Sequence, residues 1–177
     1  MGIDAIAIAP YFGGNIGRTD HEAELERWTQ DPDGGLSLLF QELTVGGILN
    51  NDNPLDESAL HQALTNIEDY AELAQQEGLM LFAYEGGQHL VGRRQVVNND
   101  AITNLFITAN QDPRMGDLYR DYFLAWHRSG GGLFVHFTDI GPSTKWGSWG
   151  SLESLYQDSS PKHDAIEAFL HNRVVAK

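Results

Sequence analysis

Glu85 is the residue of this sequence that is best placed to do chemistry. It follows six apolar positions, 79–84, and precedes Gly86 and Gly87, which allow a sharp turn and leave room for a ligand. A carboxylate beside a buried strand is costly to bury unless it is paired or used. At such a place a glutamate can be the nucleophile of a retaining glycosidase, provided that a second carboxyl group lies about 5 Å away. The alternative is a strand-end carboxylate that only caps a neighbouring loop.

Aromatic residues accompany this carboxylate. Trp146 and Trp149 lie in a glycine-rich loop, and exposed indoles present flat apolar faces with a donor edge, which suits a pyranose ring. Either tryptophan could instead fold back as a hydrophobic lid. Tyr11 and Tyr84 each end an apolar run and could position a ligand or simply pack. The pattern predicts a cleft for a neutral polyhydroxy ligand.

Two histidines and one aspartate complete the candidate binding residues. His89 and His136 could line the site, although a single histidine is more often a hydrogen-bonded structural residue. Asp139 is the nearest candidate for a second carboxylate, whereas Asp112, before a proline, is typical of a turn. No metal-ligand spacing such as His-Glu-x-x-His occurs, so we predict no metal.

Composition limits the classes of partner. The chain has 177 residues, 41% of them hydrophobic, which suits a single folded domain over residues 1–177. A formal net charge of −14 disfavours nucleic acid and anionic membranes as partners. Cysteine is absent, which excludes disulfides and thiolate zinc sites. No phosphate loop, GxGxxG or GxSxG motif is present, so we predict no cofactor.

Three short apolar runs, bounded by glycine or proline, predict β-strands. Because they lack in/out alternation, they suggest strands buried on both faces, as in parallel sheets covered by helices. The runs are 3–9, 79–84 and 133–137.

Helical periodicity lies between these runs. Residues 57–77 follow the i, i+3, i+4, i+7 rule, with Asp56 as a plausible N-cap and Gly78 as a plausible C-terminal stop. A helix around 102–109 breaks at Asp112-Pro113, and another around 118–126 ends at the glycines 130–132. A last helix starts near Pro161, and 36–46 is helical as well.

The order strand, helices, strand, helices, strand, helix predicts an α/β fold. We expect a partial TIM-type (β/α) barrel with about three parallel strands and flanking helices. The loops 13–35, 47–55, 86–100 and 139–160 are long, and three of the four start at or near strand ends, where α/β proteins place their sites.

Three stretches together resemble a known family. They are Ala7–Gly13, Ala83–His89 and Lys145–Gly150. They look like the C-terminal part of a bacterial family of large secreted proteins related to (β/α)8-barrel glycoside hydrolases, described as cellulase-like or cellulose-binding. The resemblance covers nearly the whole chain, and Tyr84–His89 is its most specific part.

The resemblance implies that the three apolar runs are the last three strands of such a barrel. Glu85 would then take the position of the nucleophile and Trp146 that of the sugar-stacking tryptophan. It also implies a secreted or extracytoplasmic location, although no signal peptide precedes Ile3. One departure is plain: those enzymes carry their acid/base carboxylate on an Asn-Glu pair, which this sequence lacks.

Two functions follow from this reasoning, with a third left open. The first is a glycoside hydrolase-like domain that acts on or binds β-linked polysaccharide, and the second is a carbohydrate-binding module without catalysis. The third is a scaffold domain that keeps an unused pocket. Because three strands leave unpaired edges, we also expect self-association or a missing N-terminal half-barrel.

Overall fold

A computed structural model describes residues 2–49 and 57–175 of the chain. Most of the described secondary structure is helical. The helices are α1 (Glu22–Trp28), α2 (Leu36–Thr44), α3 (Ala59–Glu77), α4 (Asp100–Gln111), α5 (Pro113–Arg128) and α6 (Pro161–Val175). Short 3-10 segments precede α1 and α4, at Thr19–His21 and Arg94–Asn98.

Five of the six helices are those that the periodicity predicted, and their ends have local causes. Ser58 caps α3 by accepting a hydrogen bond from the backbone N–H of His61 at 3.1 Å. The predicted cap, Asp56, lies outside the described residues. Gly78 ends α3 in the left-handed region with φ 68°, as predicted. Asp112 caps α5, which begins with Pro113.

The sheet has two strands, β1 (Ala5–Ile8) and β2 (Met80–Ala83). They pair in parallel, with Ala5 opposite Met80 and Ile8 opposite Ala83. The connection between them contains helices α1, α2 and α3 and supplies the crossover that a parallel pair requires.

The third apolar run is not a strand in this structure. Phe134 makes one parallel bridge to Ala83. The run also bonds β2 and the residues after it, since the Val135 N–H donates to the Ala83 carbonyl and the Phe137 N–H to the Gly86 carbonyl, both at 3.0 Å. These contacts amount to one bridge and not to a regular ladder within the described residues.

Helices cover only one face of the sheet. Leu81 and Ala83 are buried, whereas Met80 and Tyr84, on the opposite face, are 54% and 59% exposed. Leu133 and Val135 extend this uncovered apolar face. The predicted burial of the runs on both faces was therefore wrong, because every second side chain of the second and third runs faces away from the helices.

These findings overturn the expected fold class. A partial TIM-type barrel with about three parallel strands was predicted, but the described residues form a mostly helical structure with a single two-stranded parallel sheet. Two of the three apolar runs form the predicted strands and five helical segments form the predicted helices, whereas residues 133–137 form no strand. The number of strands and their closure depend on long-range pairing, which these runs do not specify.

All six described helices contribute buried side chains to the core, which packs on the helix-covered face of the sheet. Trp126 and Tyr122 of α5 are fully buried, and Phe123 stacks on Phe169 of α6 with ring centroids 5.3 Å apart. Phe134 meets this aromatic group edge-on. Within the described ranges, the helices include none with the length and hydropathy of a membrane span.

Candidate functional site

The segments after β1 and β2 stay paired beyond the strands. The Phe12 N–H donates to the Gly87 carbonyl at 3.1 Å, and the His89 N–H donates to the Phe12 carbonyl at 2.7 Å. These bonds bring Tyr11 and His89, which lie far apart in the sequence, to the same end of the sheet.

Gly86 and Gly87 allow this end of the sheet to pack tightly against α5. A Cβ atom on Gly86 would lie 2.7 Å from the Phe134 ring and 2.9 Å from the Tyr122 hydroxyl. One on Gly87, where φ is 143°, would lie 2.9 Å from the Tyr119 hydroxyl. The glycines were expected to leave room for a ligand, but the space beside them is occupied by aromatic side chains of the protein.

Tyr11 and Glu85 form the polar centre of the site. The Tyr11 hydroxyl and the Glu85 carboxyl group are neighbours, close enough for the carboxylate to affect the pKa of the phenol. Burial raises the pKa of Tyr11 to about 12, and the nearby Glu85 acts in the same direction. Tyr11 therefore stays a neutral hydrogen-bond donor at physiological pH.

Aromatic rings surround this centre. The Tyr11 ring lies edge-on to His89, with centroids 5.4 Å apart, and Trp149 contacts both rings, at 6.2 Å from Tyr11 and 4.9 Å from His89. Burial lowers the pKa of His89, and the nearby Arg93 lowers it further, while Glu85 acts in the opposite direction. We call Tyr11, Glu85, His89 and Trp149 the aromatic–carboxylate cluster.

The two tryptophans of the 139–160 loop differ in exposure. Trp146 is 65% exposed, and the Lys145 ammonium lies 5.0 Å from the centre of its ring. Trp149 is partly buried, and its indole N–H donates to the Trp146 carbonyl at 3.0 Å. Trp149 thus serves as a wall of the cluster, while Trp146 presents an open face.

His136 and Asp139 belong to a different group of residues. His136 Nε2 lies 3.3 Å from the hydroxyl of Tyr119, on α5. Burial lowers the pKa of His136 to about 4, the positive charge of Lys162 acts in the same direction, and Asp139 opposes it. The Ser151 hydroxyl donates to the Asp139 carbonyl at 2.7 Å. His136 and Asp139 thus form part of the framework around the loop.

Gln88 and Lys162 attach that loop to the strand ends. Both side chains are buried, and both donate to the Ser148 carbonyl, at 2.8 Å from Gln88 Nε2 and 2.6 Å from Lys162 Nζ. Gln88 Oε1 also accepts a hydrogen bond from the Leu90 N–H at 2.7 Å. Sequence reasoning missed both residues. Gln88, between the glycines and His89, lies inside the stretch that was singled out, but nothing in the sequence marks Lys162 as buried.

Two cavities adjoin Tyr11. One of about 460 Å³ is lined by Tyr11, Tyr84, Tyr70 and Asn66, and a smaller one of about 190 Å³ by Tyr11, His89, Arg93 and Asn66. Tyr84, expected to contact a ligand, therefore lies on the rim of the larger cavity. Open space next to a hydroxyl, an imidazole and amide groups is typical of ligand sites.

Acidic and histidine side chains do not gather into a metal site in the part of the chain that the structure describes: no group of three or more could hold an ion. Comparison of the chain with protein-family models, with curated proteins and with solved structures finds no match. The function must therefore be argued from the site alone.

Proposed function

We propose that the aromatic–carboxylate cluster, with Trp146 beside it, binds β-linked polysaccharide. One observation carries this proposal: Tyr11 lies next to both the Glu85 carboxyl group and the aromatic ring of His89, and it lines both cavities. Sugars present CH faces and hydroxyl rims, so they need flat apolar surfaces and hydrogen-bonding groups side by side.

Trp146 supplies the stacking surface in this proposal. Its ring is exposed, and Lys145, which lies against it, donates to the Asn98 side chain at 3.0 Å. The loop is also attached through Ser148. A ring on an anchored loop loses little conformational freedom when a ligand binds, which favours binding.

Hydrolysis is a second candidate function. Glu85 lies beside Tyr11, a neutral hydroxyl donor that is suited to orient the carboxyl group of a nucleophile. A retaining glycosidase also needs a second carboxyl group about 5 Å away. The carboxylate of Asp139, the candidate from the sequence, instead lies 3.4 Å from the Ser151 hydroxyl, and its charge acts on His136. Binding without hydrolysis is therefore the function that the geometry supports better.

Titration calorimetry with oligosaccharides of cellulose, xylan and mannan tests the binding proposal. We expect Trp146→Ala to weaken binding about tenfold, the value of one aromatic contact. Tyr156→Ala is the matched control, because Tyr156 is an aromatic residue of the same loop with 95% of its surface exposed. Equal effects of the two changes, or no binding by the unaltered protein, would refute the proposal.

Glu85→Gln separates binding from hydrolysis. Glutamine keeps the shape and one acceptor oxygen but cannot act as a nucleophile, so we expect binding to weaken only severalfold. Release of reducing sugar by the unaltered protein, abolished in Glu85→Gln, would show that the site hydrolyses its ligand. Without such release, the site is a binding site.

A further inference from the structure

Beside the aromatic–carboxylate cluster, the smaller cavity, of about 190 Å³, has a polar lining that the neutral-sugar site does not use. Side chains of Asn15, Gln62, Asn66 and Arg93 contribute to it, together with His89. Arg93 is the cationic member of this lining. Such a lining suits a ligand group that accepts several hydrogen bonds and carries negative charge.

Arg93 differs from most arginines of this acidic chain. Four others form ion pairs with carboxylates two or three residues away. These are Arg18 with Asp20, Arg27 with Glu24, Arg114 with Asp112 and Arg120 with Asp117. Across residues 2–49 and 57–171, Arg93, Arg94 and Arg128 have no such carboxylate partner. Acidic residues outnumber lysine and arginine by 25 to 11, and of these three arginines Arg93 is the one that lines this cavity.

The Arg93 side chain is exposed and lies at the edge of the cavity. Its backbone N–H donates to the Gly17 carbonyl at 2.8 Å. Its Nη2 atom lies 3.2 Å from where a Cβ atom of Gly14 would be, and the His89 ring lies 3.4 Å from the same point. Glycine at position 14 therefore leaves the guanidinium group and the imidazole close together.

His89 provides the second observation. Its Nδ1 atom is buried and has no hydrogen-bond partner among the described residues. A buried polar atom without a partner costs free energy, and a ligand group that reaches it would remove that cost. This atom and the Arg93 guanidinium group lie on the same side of Gly14.

We propose that this cavity binds the carboxylate of a uronic acid unit carried by the polysaccharide. Arg93 donates two parallel hydrogen bonds to the carboxylate, and a polar group of the same unit reaches His89 Nδ1. This inference rests on the proposed function, because the neutral part of the ligand occupies the aromatic–carboxylate cluster.

The net charge of −14 limits how many carboxylates the polysaccharide ligand can carry. A polymer with a carboxylate on every unit is repelled by the whole acidic surface. A single carboxylate in contact with Arg93 feels that repulsion less, because charges more than about 8 Å away are screened at physiological ionic strength. The ligand class is thus a β-linked, largely neutral chain with isolated uronic acid units.

A matched pair of ligands tests the inference: a xylo-oligosaccharide with one glucuronic acid branch, and the same oligosaccharide without it. By calorimetry we expect the branched ligand to bind the unaltered protein about tenfold more tightly, the value of one charged hydrogen-bonded contact. Arg93→Gln should abolish this difference. Arg94→Gln, at the neighbouring exposed arginine, is the control and should preserve the difference.

The outcomes separate this inference from the proposed function. If the unaltered protein binds neither ligand, the polysaccharide site itself is wrong, and the inference fails with it. If it binds both equally, or if both arginine variants lose the preference equally, the site stands and the uronate subsite is overturned. A sulfated branch that binds as tightly as the uronate would overturn the assignment to a carboxylate. Circular dichroism of Arg93→Gln verifies that the fold is intact.

Discussion

Lys162 links the stability of the fold to pH. Its side chain is 3% exposed, and its ammonium group donates to the Ser148 carbonyl at 2.6 Å. Burial lowers the pKa of Lys162 from 10.5 to about 7, although Glu153 acts weakly in the opposite direction. The unfolded chain therefore binds a proton at Lys162 throughout a pH range in which the folded chain releases it.

The sign of the effect follows from this difference. Between pH 7 and 10.5 the unfolded state holds more protons at this residue, so the free energy of unfolding rises with pH. The stability associated with neutral Lys162 is complete above pH 10.5, falls as the pH is lowered, and is lost by about pH 7. Each pH unit corresponds to ~1.4 kcal/mol, and incomplete titration near pH 7 reduces the change from pH 7 to 9 to ~2 kcal/mol.

Lys162→Met removes the titrating group and keeps most of the buried volume. Urea unfolding of both proteins, followed by tryptophan fluorescence at pH 7, 8 and 9, isolates the contribution of this residue because all other groups titrate in both. Between pH 7 and 9, we expect the free energy of unfolding of the original protein to rise by ~2 kcal/mol more than that of the variant. Lys145→Met, at an exposed lysine of the loop, is the control. Parallel pH profiles for Lys162→Met and the original protein would refute the reasoning.

Three further predictions concern packing, helix capping and self-association. Gly131→Ala should destabilise the fold by ~2 kcal/mol, since its Cβ atom would lie 2.2 Å from the Trp126 ring. Gly141→Ala is the control, because its Cβ atom would meet nothing within 3.6 Å; equal melting temperatures of the two variants would contradict the prediction. Ser58→Ala should cost ~1 kcal/mol in urea unfolding through loss of the α3 cap. The uncovered sheet face carries the exposed apolar side chains of Met80, Leu133 and Val135, which are suited to pack against a second copy. We therefore expect micromolar dimers in sedimentation, weakened by Val135→Asp; a monomer throughout would contradict this.

The helices could be predicted because their determinants are local. In α3, apolar residues recur along one face and Gly78 ends the helix, all within twenty residues of sequence. Helix α1 was missed and lies inside the predicted loop 13–35. It has seven residues and buries only Leu25 and Trp28, which is too short a pattern to stand out.

The third strand could not be predicted correctly because an apolar run does not record which residues pair with it. Residues 133–137 form an apolar run like that of β2, yet they make one bridge to Ala83 and no regular ladder within the described residues. Strand pairing depends on residues that are distant in the sequence, so the apolar character of a run does not determine it.

The sequence predicted most residues of the candidate site, but it did not predict which of them lie together. Tyr11, Glu85, His89 and Trp149 come together, and the reasoning that strand ends converge explains why. His136 lies inside an apolar run, and the structure turns it toward Tyr119 of α5. The direction of a side chain on an irregular segment depends on hydrogen bonds to distant residues, so residue type and position could not separate these two histidines.

Helices α5 and α6 replace the missing strand pairing as the support of the site. The Tyr122 hydroxyl donates to the Pro10 carbonyl at 2.6 Å, and the Tyr119 hydroxyl accepts the Gln88 N–H at 3.0 Å. Lys162, at the start of α6, attaches the tryptophan loop through Ser148. All three donors or acceptors are buried, where hydrogen bonds are stronger than in water. A two-stranded sheet alone would leave Tyr11, Glu85 and Trp149 on independent flexible segments, so the arrangement of the site depends on these three helix residues.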